Sequence, residues 1–341
     1  MKVAIASTFV PFAADLYRGL VLELEEALRL DGHQAEVVWL PQVDTPELLI
    51  PQVLAFRLID LEQVDRLICL RPQSHVIAHP NKVVWLLEGL LAGSERWLFN
   101  GFPIDSARAM GQLDAVRTSD TLSLNEAKAV FVGSTALKTK LLTEHSVGSI
   151  LLPPPVFSPA SNNNVSNTII CLSSYDEKSR LHIIIEAMAL ASTSLHLRVF
   201  GDGCHPAYAL LLDQLISRLG IGRRVFLDFG PTPEEVLAKA LRECLAVIDL
   251  KPCRVTPGDS VARSIRSAKC VIASKDGGAV LDEVVDGLTG VVVEPEVRGV
   301  ASTLRYLEAG KIDHTALGAM LNARAREMAS LWPETLKQLL K

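Results

Sequence analysis

The sequence lacks any long apolar run: stretches such as Ala246 to Leu250 break off well short of the ~20 residues that a bilayer span requires. An integral membrane protein is excluded on that ground. Nor does the start read as a secretory leader, because "MKVAIASTFVPFAADLYRG" has one lysine and then a β-branched run that meets Pro11, with no longer apolar core. It reads as a first strand. Clustered cysteine is missing too: Cys69, Cys171, Cys204, Cys244, Cys253 and Cys270 are scattered, with no C-x-x-C pair, which argues against a disulfide frame or a zinc site and fits a reducing cytoplasm. Finally there is no basic excess. Residues 1 to 155 carry 13 Lys/Arg against 18 Asp/Glu, and residues 156 to 341 carry 21 of each, so neither half is a basic nucleic-acid binder and the acidic excess argues against strong attraction of the first half to anionic lipid.

What is present is a globular composition, 49% hydrophobic and 21% charged over 341 residues, enough for two domains with separate cores. Short β-rich runs alternate with helical segments, the pattern of βαβ units in parallel sheets. In the first half the strand candidates are "KVAIAST", "AEVVWLP", "RLICL", "KVVWLLE", "AVFVGS" and "SILLPP". Leu16, Leu20, Leu24, Ala27 and Leu28 fall near helical spacing between the first two, and Gly32 supplies a stop. Residues 153 to 167, "PPPVFSPASNNNVSN", break the pattern with proline, serine and asparagine and mark the linker. The alternation then restarts with "TIICLSS", "HLRVFGD", "RVFLDFG", "LAVIDL", "CVIAS" and "TGVVVEP". The expected architecture is α/β, with two Rossmann-like doubly wound domains facing across a cleft: 1–155, a linker at 156–167, and 168–341. Helices broken at Trp332-Pro333 close the chain, and the last of them is placed as crossing back to the first domain. In such sheets ligands bind beyond the carboxyl ends of the strands.

Several motifs sit at such ends. In "RVFGDGCHPAY", Gly201, Asp202 and Gly203 follow a strand and precede a helix, where glycine lets backbone amides approach an anion; a tight turn needs glycine there in any case. In "SKDGGAVLDEVVDGLTGVVVEP", Gly277-Gly278 follow a strand, the acidic pair Asp282 and Glu283 follows the turn, and Gly287 and Gly290 bracket a step into "VVV". Together with "GH.AEVV" at 32 to 38, these segments make the chain resemble family 4 glycosyltransferases of the GT-B fold, loosely in the first half and more specifically in the second.

That resemblance implies a nucleoside-diphosphate sugar held mainly by the second domain, an acceptor (a glycan or small molecule) held mainly by the first, and transfer with retention at the sugar carbon. It also implies no cofactor and no metal, since helix N-termini and basic side chains take the diphosphate charge. No Asp-x-Asp occurs in the chain. The departures from the family pattern are specific. Two family glutamates fall on Val255 and Arg263, leaving Asp259, with Ser260, as the carboxylate to stand in. The family arginine and lysine that clasp the diphosphate fall on Ser174 and Ser179, flanked by Lys178 and Arg180. The glycine pair of the first loop falls on Ala13-Ala14, beside Asp15. Glu88 stands where many members carry a histidine, and it either orients an acceptor hydroxyl or caps the following helix.

The expected site is therefore Glu88 and Asp259 for chemistry; Ser174, Lys178, Arg180, Gly201, Asp202, Gly203, Ser260, Arg263, Gly277, Gly278 and Asp282 for the donor; and Ala13, Ala14 and Asp15 for the acceptor. Arg263 or Arg266 is expected to offset the lost basic pair. Ser134 reads as a helix N-cap, and His75 and His79, four apart without a third ligand nearby, read as surface or capping residues. A catalytically silent homologue that binds a sugar or a protein partner remains the alternative.

Overall fold

The computed structural model of the chain describes residues 1–9, 16–42, 46–90, 107–155, 165–201, 205–230, 232–252, 258–328 and 331–341. It holds two compact units, each built on its own six-stranded parallel sheet with flanking helices.

The first unit begins with β1 (Lys2–Phe9), α1 (Leu16–Leu30), β2 (Gln34–Pro41), α2 (Pro46–Arg57) and β3 (Arg66–Cys69). It continues through a short 3-10 turn (Ser74–Val76), β4 (Lys82–Leu86), α3 (Ala107–Asn125), β5 (Ala129–Val132), α4 (Thr135–His145) and β6 (Ile150–Leu151). Strand order is β2-β1-β3-β4-β5-β6. The near-continuous apolar strands follow from burial on both faces, as in "KVVWL", where every residue is buried. Helix α1 turns Leu20, Val21, Leu24 and Leu28 onto the sheet, matching its 3.6-residue period, and Gly32 at φ +85° lets the chain leave it toward β2. As expected, Ser134 caps α4, its hydroxyl accepting from the Leu137 amide.

The second unit runs β7 (Thr168–Leu172), a 3-10 turn (Glu177–Ser179), α5 (Leu181–Ala191), β8 (His196–Gly201), α6 (Pro206–Leu219), β9 (Val225–Phe229) and α7 (Glu234–Glu243). Then follow β10 (Ala246–Asp249), α8 (Gly258–Arg266), β11 (Cys270–Ser274), the single turn α9 (Val280–Glu283), β12 (Val291–Val293), α10 (Val297–Glu308) and α11 (His314–Met328). Strand order is β12-β11-β10-β7-β8-β9. Helix α5, "LHIIIEAMALA", is apolar on most of its circumference because it lies in the main core of this unit, under Ile169, Leu197 and Leu304.

The closing helix α12 (Trp332–Leu339) belongs to the first unit. Leu336 and Leu339 join the core of β1, β3 and β4, Trp332 meets Trp85 edge-on at 6.4 Å, and Arg66 donates to the Leu340 carbonyl at 2.9 Å. Trp332-Pro333 opens this helix: proline sits in its first turn, where no amide hydrogen is needed.

The surface reading of His75 and His79 is corrected. Both are buried, His75 with its Nε2 on Asp120 at 2.9 Å and His79 with Nε2 near the Val64 carbonyl, while His79 Nδ1 accepts from the Asn81 amide. Cys69, Cys171, Cys244 and Cys270 are buried, and burial pushes the thiols of Cys69, Cys244 and Cys270 up to about 12. They are packing residues and not nucleophiles. No helix among the described residues is long and apolar enough to cross a membrane.

Candidate functional site

In each sheet one pair of adjacent strands sends its connections to opposite faces, and that switch point opens a crevice beyond the carboxyl ends. In the second sheet the pair is β7 and β10, which are hydrogen-bonded neighbours. The loop after β7 carries Ser173, Ser174 and Asp176; the loop after β10 carries Lys251. These two loops meet: Lys251 Nζ donates to Ser174 Oγ at 3.3 Å, and Ser174 Oγ donates to Asp176. Asp176 also caps the following turn by accepting from the Ser179 amide at 2.8 Å. Lys251 was not singled out by sequence, since only the strand order puts the end of β10 beside that of β7.

Arg180 sits between the 3-10 turn and α5 in a left-handed conformation, φ 55°, which a non-glycine residue holds only where its surroundings enforce it. They do so here. Its guanidinium reaches the Leu250 carbonyl at 3.1 Å, Ser274 Oγ at 3.2 Å, and both oxygens of Asp276 at 2.8 and 2.7 Å. That bidentate pair ties the start of α5 to the ends of β10 and β11. The Arg180 hydrogen bond, with help from the Ser274 hydroxyl, holds the Asp276 carboxyl down at about 2. Lys178, one turn earlier, is exposed. Arg180 also opens onto a groove of about 860 Å³ between α5 and α6, bordered by Glu177, His182, Tyr208 and Arg218.

The glycines have backbone reasons for being where they are. A Cβ on Gly201 would come within 2.0 Å of the Ser173 carbonyl, so the end of β8 lies directly against the loop after β7. Gly277 is pressed against the Ser274 carbonyl and Gly278 has φ 65°, which together make the turn that brings Asp276 to Arg180. Asp282 is exposed, while its neighbour Glu283 is partly buried and its carboxyl is raised by desolvation.

The α8 expectations require correction. Arg263 is 3% exposed and is gripped from two sides, by Asp259 at 2.6 Å and by Glu234 at 2.5 Å, so its charge is already spent and a phosphate would displace two carboxylates to reach it. The Asp259 carboxylate is occupied by the same contact, and Ser260 is buried with its hydroxyl on Asp249. This segment is a structural clasp, tying α8 to the start of α7 and the end of β10. Ala13, Ala14, Asp15, Asp202, Gly203 and Val255 lie outside the described residues.

In the first sheet the switch point lies between β1 and β3. Arg71, two residues past β3, donates from Nε to Glu88 Oε1 at 2.7 Å and from Nη1 to the Thr8 carbonyl at 3.1 Å. Its guanidinium also lies 5.4 Å from the centre of the Tyr17 ring, and Tyr17 donates its hydroxyl to the Leu87 carbonyl. Glu88 is thus held across the ends of β3 and β4 by an ion pair, and the segment it would cap, from residue 91 on, lies outside the described residues. Nor do three His, Cys, Asp or Glu side chains come together among those residues as metal ligands would.

No family model matches this chain, and no curated protein matches it. Solved structures do. Sucrose-phosphate synthase from Thermosynechococcus elongatus superimposes with a TM-score of 0.74 at 15% identity, covering 99% of this chain and 98% of that one. The Anabaena HepE structure in complex with UDP and glucose gives 0.65 at 14% identity over 100% and 99%. A glycosyltransferase from Rickettsia africae ESF-5 gives 0.64 at 15% over 100% and 98%. The chain has the two-domain α/β fold of these GT-B proteins. At such identities the likeness is one of fold.

Proposed function

We propose that this chain is a glycosyltransferase that moves a sugar from a nucleoside diphosphate to a hydroxyl of a glycan or small-molecule acceptor, without a metal and with retention at the transferred carbon. The observation that carries this reading is the Lys251–Ser174 bridge across the switch point of the second sheet, with Arg180 one turn away. The family arginine and lysine are replaced by Ser174 and Ser179, yet two cations stand at the same crevice, supplied from the loop after β10 and from the start of α5. A diphosphate entering there takes hydrogen bonds from Lys251 Nζ and the Ser174 hydroxyl and competes with Asp276 for the Arg180 fork. A fold shared with structures solved with UDP supports the assignment of the donor class. Catalytic chemistry falls to Glu88 in preference to Asp259, whose carboxylate is engaged by Arg263.

Calorimetric titration of the whole chain with UDP, GDP, ADP, TDP and CDP tests this. Saturable binding of one base, lost in Lys251→Met, is the expected outcome. Failure of all five to bind favours the second reading, a catalytically silent homologue that serves as a binding subunit. One observation speaks for that reading: the carboxylate and the arginine of α8 neutralise each other.

A further inference from the structure

The carboxyl edge of the first sheet differs in kind from that of the second, and the difference concerns what can bind there. Arg71 is 7% exposed, and its guanidinium is committed to Glu88, to the Thr8 carbonyl and to the face of Tyr17. Its positive charge is met at 2.7 Å by a carboxylate. An incoming phosphate would have to approach the partner oxygen of that same carboxylate, and like charges at such range repel. Glu88 offers something else. Only Oε1 is taken by Arg71; among the described residues nothing donates to Oε2, and the side chain is 18% exposed. A carboxylate oxygen accepts hydrogen bonds and donates none, so its natural partner is a hydroxyl.

A second observation lies on the same loop. Gln73, two residues beyond Arg71, is held in the left-handed region at φ 70° and is 2% exposed. Among the described residues its Nε2 has no acceptor. Buried amide donors are nearly always paired, and non-glycine residues in this conformation concentrate at ligand clamps. A donor without an acceptor and an acceptor oxygen without a donor, on the loops that follow β3 and β4, are a complementary set for a molecule rich in hydroxyls. The other described cation nearby, Arg18, lies over Phe9 and Trp39, on the β2 side of the edge.

We propose that Arg71, Glu88, Tyr17 and Gln73 form the acceptor subsite of this chain and that it takes an uncharged polyhydroxyl molecule, a sugar without a phosphate. This rests on the transferase reading above. Glu88 Oε2 receives the hydroxyl, Gln73 Nε2 donates to an oxygen of the same molecule, and Arg71 acts as a positioning residue that fixes the carboxylate across the ends of β3 and β4.

The test is saturation-transfer NMR and calorimetry on the whole chain with glucose, galactose and N-acetylglucosamine, each beside its 6-phosphate, and with the nucleoside diphosphates titrated in parallel. The expected result is saturable binding of at least one neutral sugar, with its 6-phosphate weaker by about tenfold, the factor expected for one unfavourable charged contact. Glu88→Gln and Arg71→Met each weaken the neutral sugar by a similar factor, Arg71→Lys recovers part of the loss, and none of them alters nucleotide affinity. Thermal melting of each variant separates lost binding from lost folding. Equal or tighter binding of the 6-phosphate, unchanged sugar binding in Glu88→Gln, or no neutral sugar binding while a nucleotide binds would each overturn the proposal. Sugar binding without nucleotide binding would instead sink the donor reading and leave this subsite standing.

Discussion

Beyond the carboxyl edge of each sheet an arginine is held by a carboxylate, yet the two pairs sit in different surroundings. Arg71 and Glu88 have side chains 8% and 18% exposed; Arg180 and Asp276 are 21% and 42% exposed. Shielding from water strengthens the first pair and fixes it, because breaking a buried pair strands a charge. The second pair is wetter, so its members exchange partners at lower cost, and Lys251 adds a cation beside it. The same two residue types therefore make a shielded, rigid pair in one unit and a wetter, more exchangeable pair in the other. Burial decides which.

The largest expected effect bears on how tightly each edge is built. Gly201→Ala forces a Cβ to 2.0 Å from the Ser173 carbonyl, a backbone atom that cannot give way, and should cost about 3 kcal/mol in urea unfolding. Its counterpart at the end of β5, Gly133→Ala, meets the tip of the Leu87 side chain at 3.0 Å, and that tip can rotate, so the loss should be about 1 kcal/mol. Equal losses would show that the edges are equally loose and would remove the contrast.

Next comes charge. Lys251→Met should weaken nucleoside-diphosphate binding by about tenfold or more, as expected for one charged hydrogen bond, while Arg71→Met leaves it unchanged. An effect of Arg71→Met on nucleotide affinity would erase the division of labour between the units. Smaller again is Tyr175→Phe. Tyr175 is fully buried, and its single hydroxyl hydrogen is shared between the Val199 and Asp228 carbonyls, each at 3.0 Å, behind the loop that carries Ser174. The expected loss is about 1 kcal/mol in thermal or urea melts.

The smallest effect is in acid. Asp276 is depressed from 3.8 to about 2, chiefly by its hydrogen bond to Arg180. A lowered carboxyl stabilises the fold above its unfolded value and loses that contribution as pH falls through the folded value. Wild type should therefore lose stability between pH 4 and 2, a window taken from those two values, more steeply than Asp276→Asn. Because the side chain is 42% exposed, solvent screens the pair and the difference should be small. Identical acid profiles would mean that the second pair contributes nothing to the fold and is wholly available to a ligand.

Much of the architecture was legible because parallel strands buried on both faces leave continuous β-branched runs, and all twelve strand candidates appear in the two sheets. The site was legible only in part. Glycine turns announce themselves through φ and close approach, as at Gly201 and Gly278. Cations do not, because a lysine after a strand has no local signature of what it will face. Lys251 carries no local mark for that reason. At Arg263 the guanidinium expected to meet a phosphate is held by Asp259 and Glu234, and an arginine four residues after an aspartate on a helix is the usual spacing of an ion pair. The buried histidines misled in the same direction: His75 finds Asp120 across 45 positions of sequence, a pairing no local pattern reveals.

Sequence alone determined the α/β class, the six-plus-six strand pattern, the cap at Ser134 and the stop at Gly32, since each depends on periodicity or dihedral preference over a few neighbouring residues. Tertiary structure decided which strand ends lie side by side, and hence that Lys251 meets Ser174, that Arg180 meets Asp276 and that Arg71 meets Glu88. Those are contacts between residues 17 to 96 positions apart, where chain-local physics has no reach.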